Sequence, residues 1–253
     1  MVAQAVEKWG RVDILVNNAG ILSIIPVRKN SSSKSELVSQ LIYGELFEVI
    51  EKKEKWFYIE SIDDKYCGWI NYSQLKEISK QDFKKVKKTE SKLLNNISSE
   101  IETENGNMSI TIGSKVSSAF IFNHKLKQEY SKNSIIENSL KFLNSPYLWG
   151  GRTPYGIDCS GFSQQIYKLN GFQLPRDANQ QALQGKEVKL EKAKPGDLAF
   201  FGEKKITHVG IIIDSNKIVH AFGCVRIDYL NEKGIINSTS KKITHYLKKI
   251  NSY

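Results

Sequence analysis

The stretch PYLWGGRTPYGIDCSGF, residues 146–162, places a cysteine behind a glycine-rich, aromatic approach and directly ahead of a helical pattern. In the following SQQIYKLN, Phe162, Ile166 and Leu169 fall at i, i+4 and i+7, and Gly171 stands where a helix ends. Cys159 therefore belongs to the first turn of a helix that packs one face on a core. Unpaired backbone N–H groups and the positive end of the helix dipole at that position favour a thiolate. The same N–H groups are suited to receive a developing oxyanion.

A nucleophilic thiol needs a base, and the chain has four histidines: His124, His208, His220 and His245. His208 and His220 lie in KITHVGIIIDSNKIVHAF, which reads as two buried strands around the turn Asp214-Ser215-Asn216. Strand parity decides whether both histidines serve one site, because a one-residue slip sends a side chain to the other face. A three-residue loop, or a bulge, sets His220 opposite Gly210 and diagonal to His208, with Gly210 leaving room for the imidazoles. On that geometry His208 is the base for Cys159 and His220 orients the His208 ring. A metal site is the other use of one Cys and two His; it is disfavoured because 49 residues separate Cys159 from His208 and no fourth ligand stands out.

Outward from this centre, 253 residues with 40% hydrophobic content suffice for one large or two to three small folded domains. The formal charge of +10 comes from scattered lysines, without the arginine clusters and stacking aromatics of a nucleic-acid site. Cys67, Cys159 and Cys224 cannot all pair, and their spacing gives neither a metal knuckle nor a disulfide framework. Cys67 and Cys224 have apolar neighbours and read as buried small residues, and His124 and His245 show no partner. No run approaches a membrane span, and the first residues form no signal-peptide core, so the chain is expected in the cytoplasm, or exported if its native N-terminus has been replaced.

The segment AVEKWGRVDILVNNAG, residues 5–20, resembles a piece of a short-chain dehydrogenase. It lacks the glycine-rich phosphate turn upstream and the YxxxK pair downstream, so it is read as a fused or foreign leader, residues 1–20. Residues 21–79 show short strands separated by turns, with alternation in ELFEVIE and WFYIE on either side of KKEK. Residues 80–130 read as a Lys/Ser/Asn/Glu-rich linker without an apolar period, followed by a degenerate second small β domain. A Ser134-x-x-Glu137 capping box opens the first helix of a third region, residues 131–253.

PYLWGG, GIDCSGF, LPRDANQQ, KPGDLAFF, ITHVGIII and IVHAF occur in the order found in NlpC/P60 cysteine peptidases, and the GELFEVIEKKEKWFYIES hairpin with GWI is similar to bacterial SH3-like (SH3b) domains. The resemblance implies an α+β fold, a papain-like catalytic domain preceded by one or more small SH3-like β-barrels. It implies Cys159 as nucleophile, His208 as base and His220 as third member, with Tyr147 shaping the oxyanion region. Asp158 and Ser160 would flank the thiol where the substrate's amine and D-glutamyl portion are recognised. The two-domain arrangement resembles dipeptidyl-peptidases that cut L-Ala-γ-D-Glu from the next diamino acid of murein peptides. By that resemblance Glu36, in SELVSQL, is a partner for the substrate ammonium, and Tyr66, Trp69 or Tyr72 narrows the cleft. A monomer is expected, with a murein-derived peptide as substrate, no nucleic-acid partner, no cofactor and no metal. A non-catalytic cell-wall binding protein is the rival expectation.

Overall fold

A computed structural model describes residues 16–19, 21–126 and 133–253, and the chain divides into two compact units. The first holds residues 1–94 and 98–129, the second residues 95–97 and 130–253.

In the first unit, β1 (Val16–Ala19), β2 (Ile24–Arg28), β3 (Leu37–Ile42), β4 (Leu46–Lys53), β5 (Trp56–Ser61), β6 (Cys67–Asn71) and β7 (Lys76–Glu77) form one antiparallel sheet in the order β3-β2-β6-β5-β4-β1-β7. The KKEK turn behaves as expected: Lys53 pairs with Trp56, and Glu54 adopts a positive φ of 51° between them. Alternate residues Ile25, Val27, Leu41, Phe47, Val49, Ile59 and Ile70 fill the core of this sheet. Trp69 packs on Tyr58 at 5.2 Å between ring centroids, and Tyr72, half exposed, leans on Phe57. Cys67 is half-buried on this sheet, with Glu60 beside its thiol, and does not form part of the core.

Two boundaries expected from the sequence shift. Val16–Ala19, assigned to the foreign leader, pair antiparallel with Leu46–Val49 on one side and with β7 on the other, so the sheet begins before residue 20. Strand pairing uses backbone groups alone, so a segment reminiscent of another fold can fill a place in this sheet. The rest of the leader, residues 1–15, lies outside the described residues. Residues 80–94 are likewise more ordered than their composition implies. Helix α1 (Lys80–Lys88) is capped by Ser79, whose hydroxyl accepts from the Asp82 N–H, and buries only Phe83 and Val86. These join Leu94, Ile101, Ile110, Val116, Ala119 and Phe122 in a core shared with Tyr43 and Leu46. The small sheet of β8 (Ser98–Thr103), β9 (Gly106–Thr111) and β10 (Lys125–Leu126) thus completes the first unit and has no separate core of its own. His124 has a partner after all: its Nδ1 lies 2.9 Å from the Tyr43 hydroxyl.

The second unit opens with α2 (Ile135–Leu140), whose Ser134–Glu137 capping box forms as the sequence predicts. A short ribbon of β11 (Arg152–Thr153) and β12 (Gly156–Ile157) leads into α3 (Cys159–Leu169), followed by the short α4 (Ala178–Gln181). Seven strands then follow: β13 (Lys186–Val188), β14 (Leu198–Phe201), β15 (His208–Asp214), β16 (Lys217–Phe222), β17 (Cys224–Asn231), β18 (Gly234–Ile236) and β19 (Ile243–Ser252). β14 to β18 run in sequential order. β19 pairs with both β14 and β18, closing a barrel, and also carries β13. Helix α3 packs on β15 and β16 and buries every residue from Cys159 to Tyr167, more than the single face its periodicity indicated.

Candidate active site

Three backbone features place the thiol. The chain entering α3 is pinned by Tyr147 N–H to the Gly223 carbonyl at 2.9 Å and by Leu148 N–H to the Ile157 carbonyl at 3.1 Å. Asp158 is the N-cap of α3: its Oδ1 accepts from Gly161 N–H at 2.7 Å and its Oδ2 from Gly150 N–H at 2.8 Å. The far end of the helix closes in a Schellman motif, Phe172 N–H to Tyr167 O and Gly171 N–H to Lys168 O, with the Phe172 and Tyr167 rings in contact. Cys159 is the first residue of a helix held at both ends.

Beneath the thiol lies a buried ion pair. The Arg176 guanidinium, 1% exposed, grips Asp158 through two bonds of 3.0 and 2.6 Å and also donates to Ser160 Oγ at 3.0 Å. Arg176 is the counter-ion that allows a carboxylate to sit next to the nucleophile. Asp158 and Ser160 flank Cys159 as expected, and both are engaged in this network.

Burial opposes a thiolate at Cys159. Burial, reinforced by the Asp158 charge, pushes the Cys159 thiol up to about 12, against the backbone N–H groups of Val209 and Ser160 that bond the sulfur. Desolvation outweighs the helix terminus on which the sequence expectation rested, and Gly161 N–H is already spent on the cap. His208 is also buried, and desolvation together with its histidine neighbours holds its imidazole well below the usual range. The Val209 contact fixes the sulfur beside the start of β15, where His208 stands. Burial thus favours the neutral form of both groups. Tyr147 borders the same space: burial and the nearby Cys159 and Asp158 push its phenol up to about 12.

The hairpin carrying the histidines has the parity the chemistry needs. Gly210 pairs with His220, as the sequence predicts, but by another route: Asp214 pairs with Lys217 around a two-residue turn, and a bulge at residue 213 restores the register. His208 Nε2 lies 2.8 Å from His220 Nδ1. A Cβ on Gly210 would stand 2.9 Å from His220 Cβ, so only glycine admits this contact.

Two participants were invisible to sequence reasoning. His220 Nε2 is 3.1 Å from Asp228 Oδ2 on β17. That carboxylate, fully buried, is held far below its usual range by hydrogen bonds from His220, Ser238 and Arg226. The signal was available: once Gly223 is read as the turn, His220 falls opposite Arg226, and Asp228 follows two residues on along the same face. The second is His245 on β19, whose ring stacks on His208 at 4.0 Å between centroids and 21° between planes. Donor atoms of His208, His220 and His245 lie within 4.8 Å of one another. Within this cluster His208 and His220 share a hydrogen bond and the His245 ring is stacked on His208.

Glu36 lies just before β3 in the first unit, where its carboxylate is 3.0 Å from Lys29 Nζ; it is exposed, not buried. Cys224 is half-buried at the start of β17.

A helix-borne cysteine beside a histidine-bearing strand of an antiparallel barrel supplies the parts that thiol chemistry needs. Residues 144–244 match the NlpC/P60 family and residues 27–75 the bacterial dipeptidyl-peptidase SH3 domain. The second unit thus carries an NlpC/P60 domain, and it follows an SH3 domain of the bacterial dipeptidyl-peptidase type. Among curated relatives, the gamma-D-glutamyl-L-lysine dipeptidyl-peptidase of Bacillus subtilis is 44% identical over 99 residues, 38% of this chain and 33% of that protein. The Bacillus cereus protein of the same name is 37% identical over 111 residues, 41% of this chain and again 33% of its own length. The matched stretch thus spans about a third of these relatives. Dipeptidyl-peptidase 6 of Lysinibacillus sphaericus aligns more fully, over 74% of this chain and 80% of its own length, at 26% identity. The crystal structure of an NlpC/P60 family protein from Bacillus cereus has the same fold, with a TM-score of 0.76 at 19% identity over 94% of this chain and 99% of that one.

Proposed function

We propose that this protein hydrolyses the γ-D-glutamyl bond to the diamino acid in murein peptides that carry a free N-terminal L-Ala, releasing L-Ala-γ-D-Glu. The observation that carries the reading is Cys159 at the mouth of a capped helix, its sulfur held by the Val209 N–H next to His208, which is itself hydrogen-bonded to His220. His208 takes the thiol proton as sulfur attacks the γ-carbonyl. The Cys159 N–H, with Tyr147 beside it, receives the oxyanion. His208 then returns the proton to the departing amine, and water releases the dipeptide from the thioester.

Recognition of the free amine is assigned to Glu36, whose carboxylate would exchange Lys29 for the substrate ammonium. A charge-assisted bond of this kind rewards an ammonium and leaves an acylated N-terminus without a partner. The names of the relatives point to L-lysine as the residue after D-Glu. The test is incubation with L-Ala-γ-D-Glu-L-Lys and its diaminopimelate counterpart, free and N-acetylated, read by mass spectrometry. The free peptide is expected to yield L-Ala-γ-D-Glu, and Cys159→Ala to yield none. Retained activity in that variant defeats the mechanism, and equal cleavage of the acetylated peptide defeats the amine requirement.

A further inference from the structure

The hydrogen-bonded chain does not end at His220. Asp228 Oδ2 faces His220 Nε2 at 3.1 Å, while Oδ1 accepts from Ser238 N–H at 2.8 Å and from the Arg226 guanidinium at 3.1 Å. Arg226 Nε adds an ion pair to Oδ2 at 3.0 Å. An ionised carboxylate only accepts, so the proton between Asp228 and His220 resides on His220 Nε2. A neutral imidazole carries one N–H, which leaves His220 Nδ1 as an acceptor. The 2.8 Å contact to His208 then requires the proton on His208 Nε2, and His208 Nδ1 is left with a lone pair.

We propose that Asp228 is a positioning residue that fixes the tautomers of both His220 and His208, two rings away from the carboxylate, so that His208 meets the Cys159 thiol as a base and not as a donor. Burial supports the neutral state this chain needs: desolvation lowers His220 and outweighs the pull of Asp228, with Arg226 acting in the same direction as burial. His208 is depressed by burial and by His220 and His245.

Asp228→Asn makes the assignment directional. Ser238 N–H and Arg226 hold the carbonyl at the Oδ1 position, so the amide NH2 faces His220 Nε2 and donates to it. His220 then carries its proton on Nδ1 and donates to His208 Nε2, and His208 presents N–H to the thiol. The whole relay reverses with no change of shape.

The inference rests on the thiol-peptidase reading, but its readouts need no substrate. Imidazole nitrogen NMR of the full chain is expected to show Nε2–H for both His208 and His220 in the wild type and Nδ1–H for both in Asp228→Asn. Iodoacetamide alkylation of Cys159, mapped by mass spectrometry apart from Cys67 and Cys224, is expected to slow by about 10²-fold at neutral pH in the variant, the lower end of what a lost general base removes. An Nδ1–H His208 in the wild type overturns the proposal even if the variant fails to fold. A folded Asp228→Asn with unchanged tautomers and unchanged alkylation also overturns it. If the wild type shows the expected tautomers yet leaves the murein peptide intact, the substrate assignment fails and the role of Asp228 stands.

Discussion

A methyl group on Gly210 would meet His220 Cβ at 2.9 Å and Ile218 Cδ1 at 2.8 Å, both too close for a real Cβ contact. Gly210→Ala is therefore expected to cost about 1–3 kcal/mol of stability, the usual range for overpacking. Because the displaced residue is His220, activity should fall by more than the stability loss explains. Denaturant titration beside a kcat measurement checks this, and wild-type kcat in Gly210→Ala would show that His220 does not need its present seat. At this scale Cys159, His208 and His220 were legible because each sits in a block of glycines and aromatics with few alternative uses. Asp228 was not, since a single carboxylate in CVRIDYLN looks like any outward residue of a strand until its register against β16 is known. A helix N-terminus is likewise visible in sequence, whereas the burial that opposes it at Cys159 is a property of the packed unit.

Elements were legible where a local signal fixes them. The Ser134 capping box and the Gly171 stop of α3 both depend on neighbours within a few residues. Gly171 sits at φ +85° with open space around its Cα, so the cost of a side chain there is conformational alone. Gly171→Ala is expected to destabilise the protein by about 1 kcal/mol while leaving peptide cleavage unchanged. A melt and an activity assay on the same preparation separate the two, and a loss of cleavage would mean that α3 cannot hold Cys159 without its cap. Helix α1 escaped the sequence because two buried side chains among exposed lysines make no readable period. The bulge at residue 213 escaped because a two-residue turn plus one extra residue and a three-residue loop give the same pairing of Gly210 with His220.

For the molecule as a whole, the titrations define a pH window. His208, His220 and His245 are all depressed by burial, His245 to about 4. Below the ordinary imidazole value near 6.5 the unfolded chain binds protons that the folded chain refuses, so stability falls as pH falls, by up to about 1.4 kcal/mol per pH unit for each such histidine. Asp228, depressed as well, loses its contribution only below the ordinary carboxylate range. Cys159 has the opposite sign: with its thiol raised to about 12, the unfolded chain ionises first, and stability falls above about pH 8.5. Hydrogen exchange at the α3 amides should show greatest protection between these limits, and a flat profile from pH 5 to 7 would contradict the buried neutral histidines. One strand links this window to closure of the barrel. β19 joins β13, β14 and β18 and also brings His245 against the base. On a translating ribosome the nucleophile, the base and Asp228 would all have emerged before residues 243–252 could close the barrel around them, so a nascent chain should stay inert until that last ribbon is threaded into place.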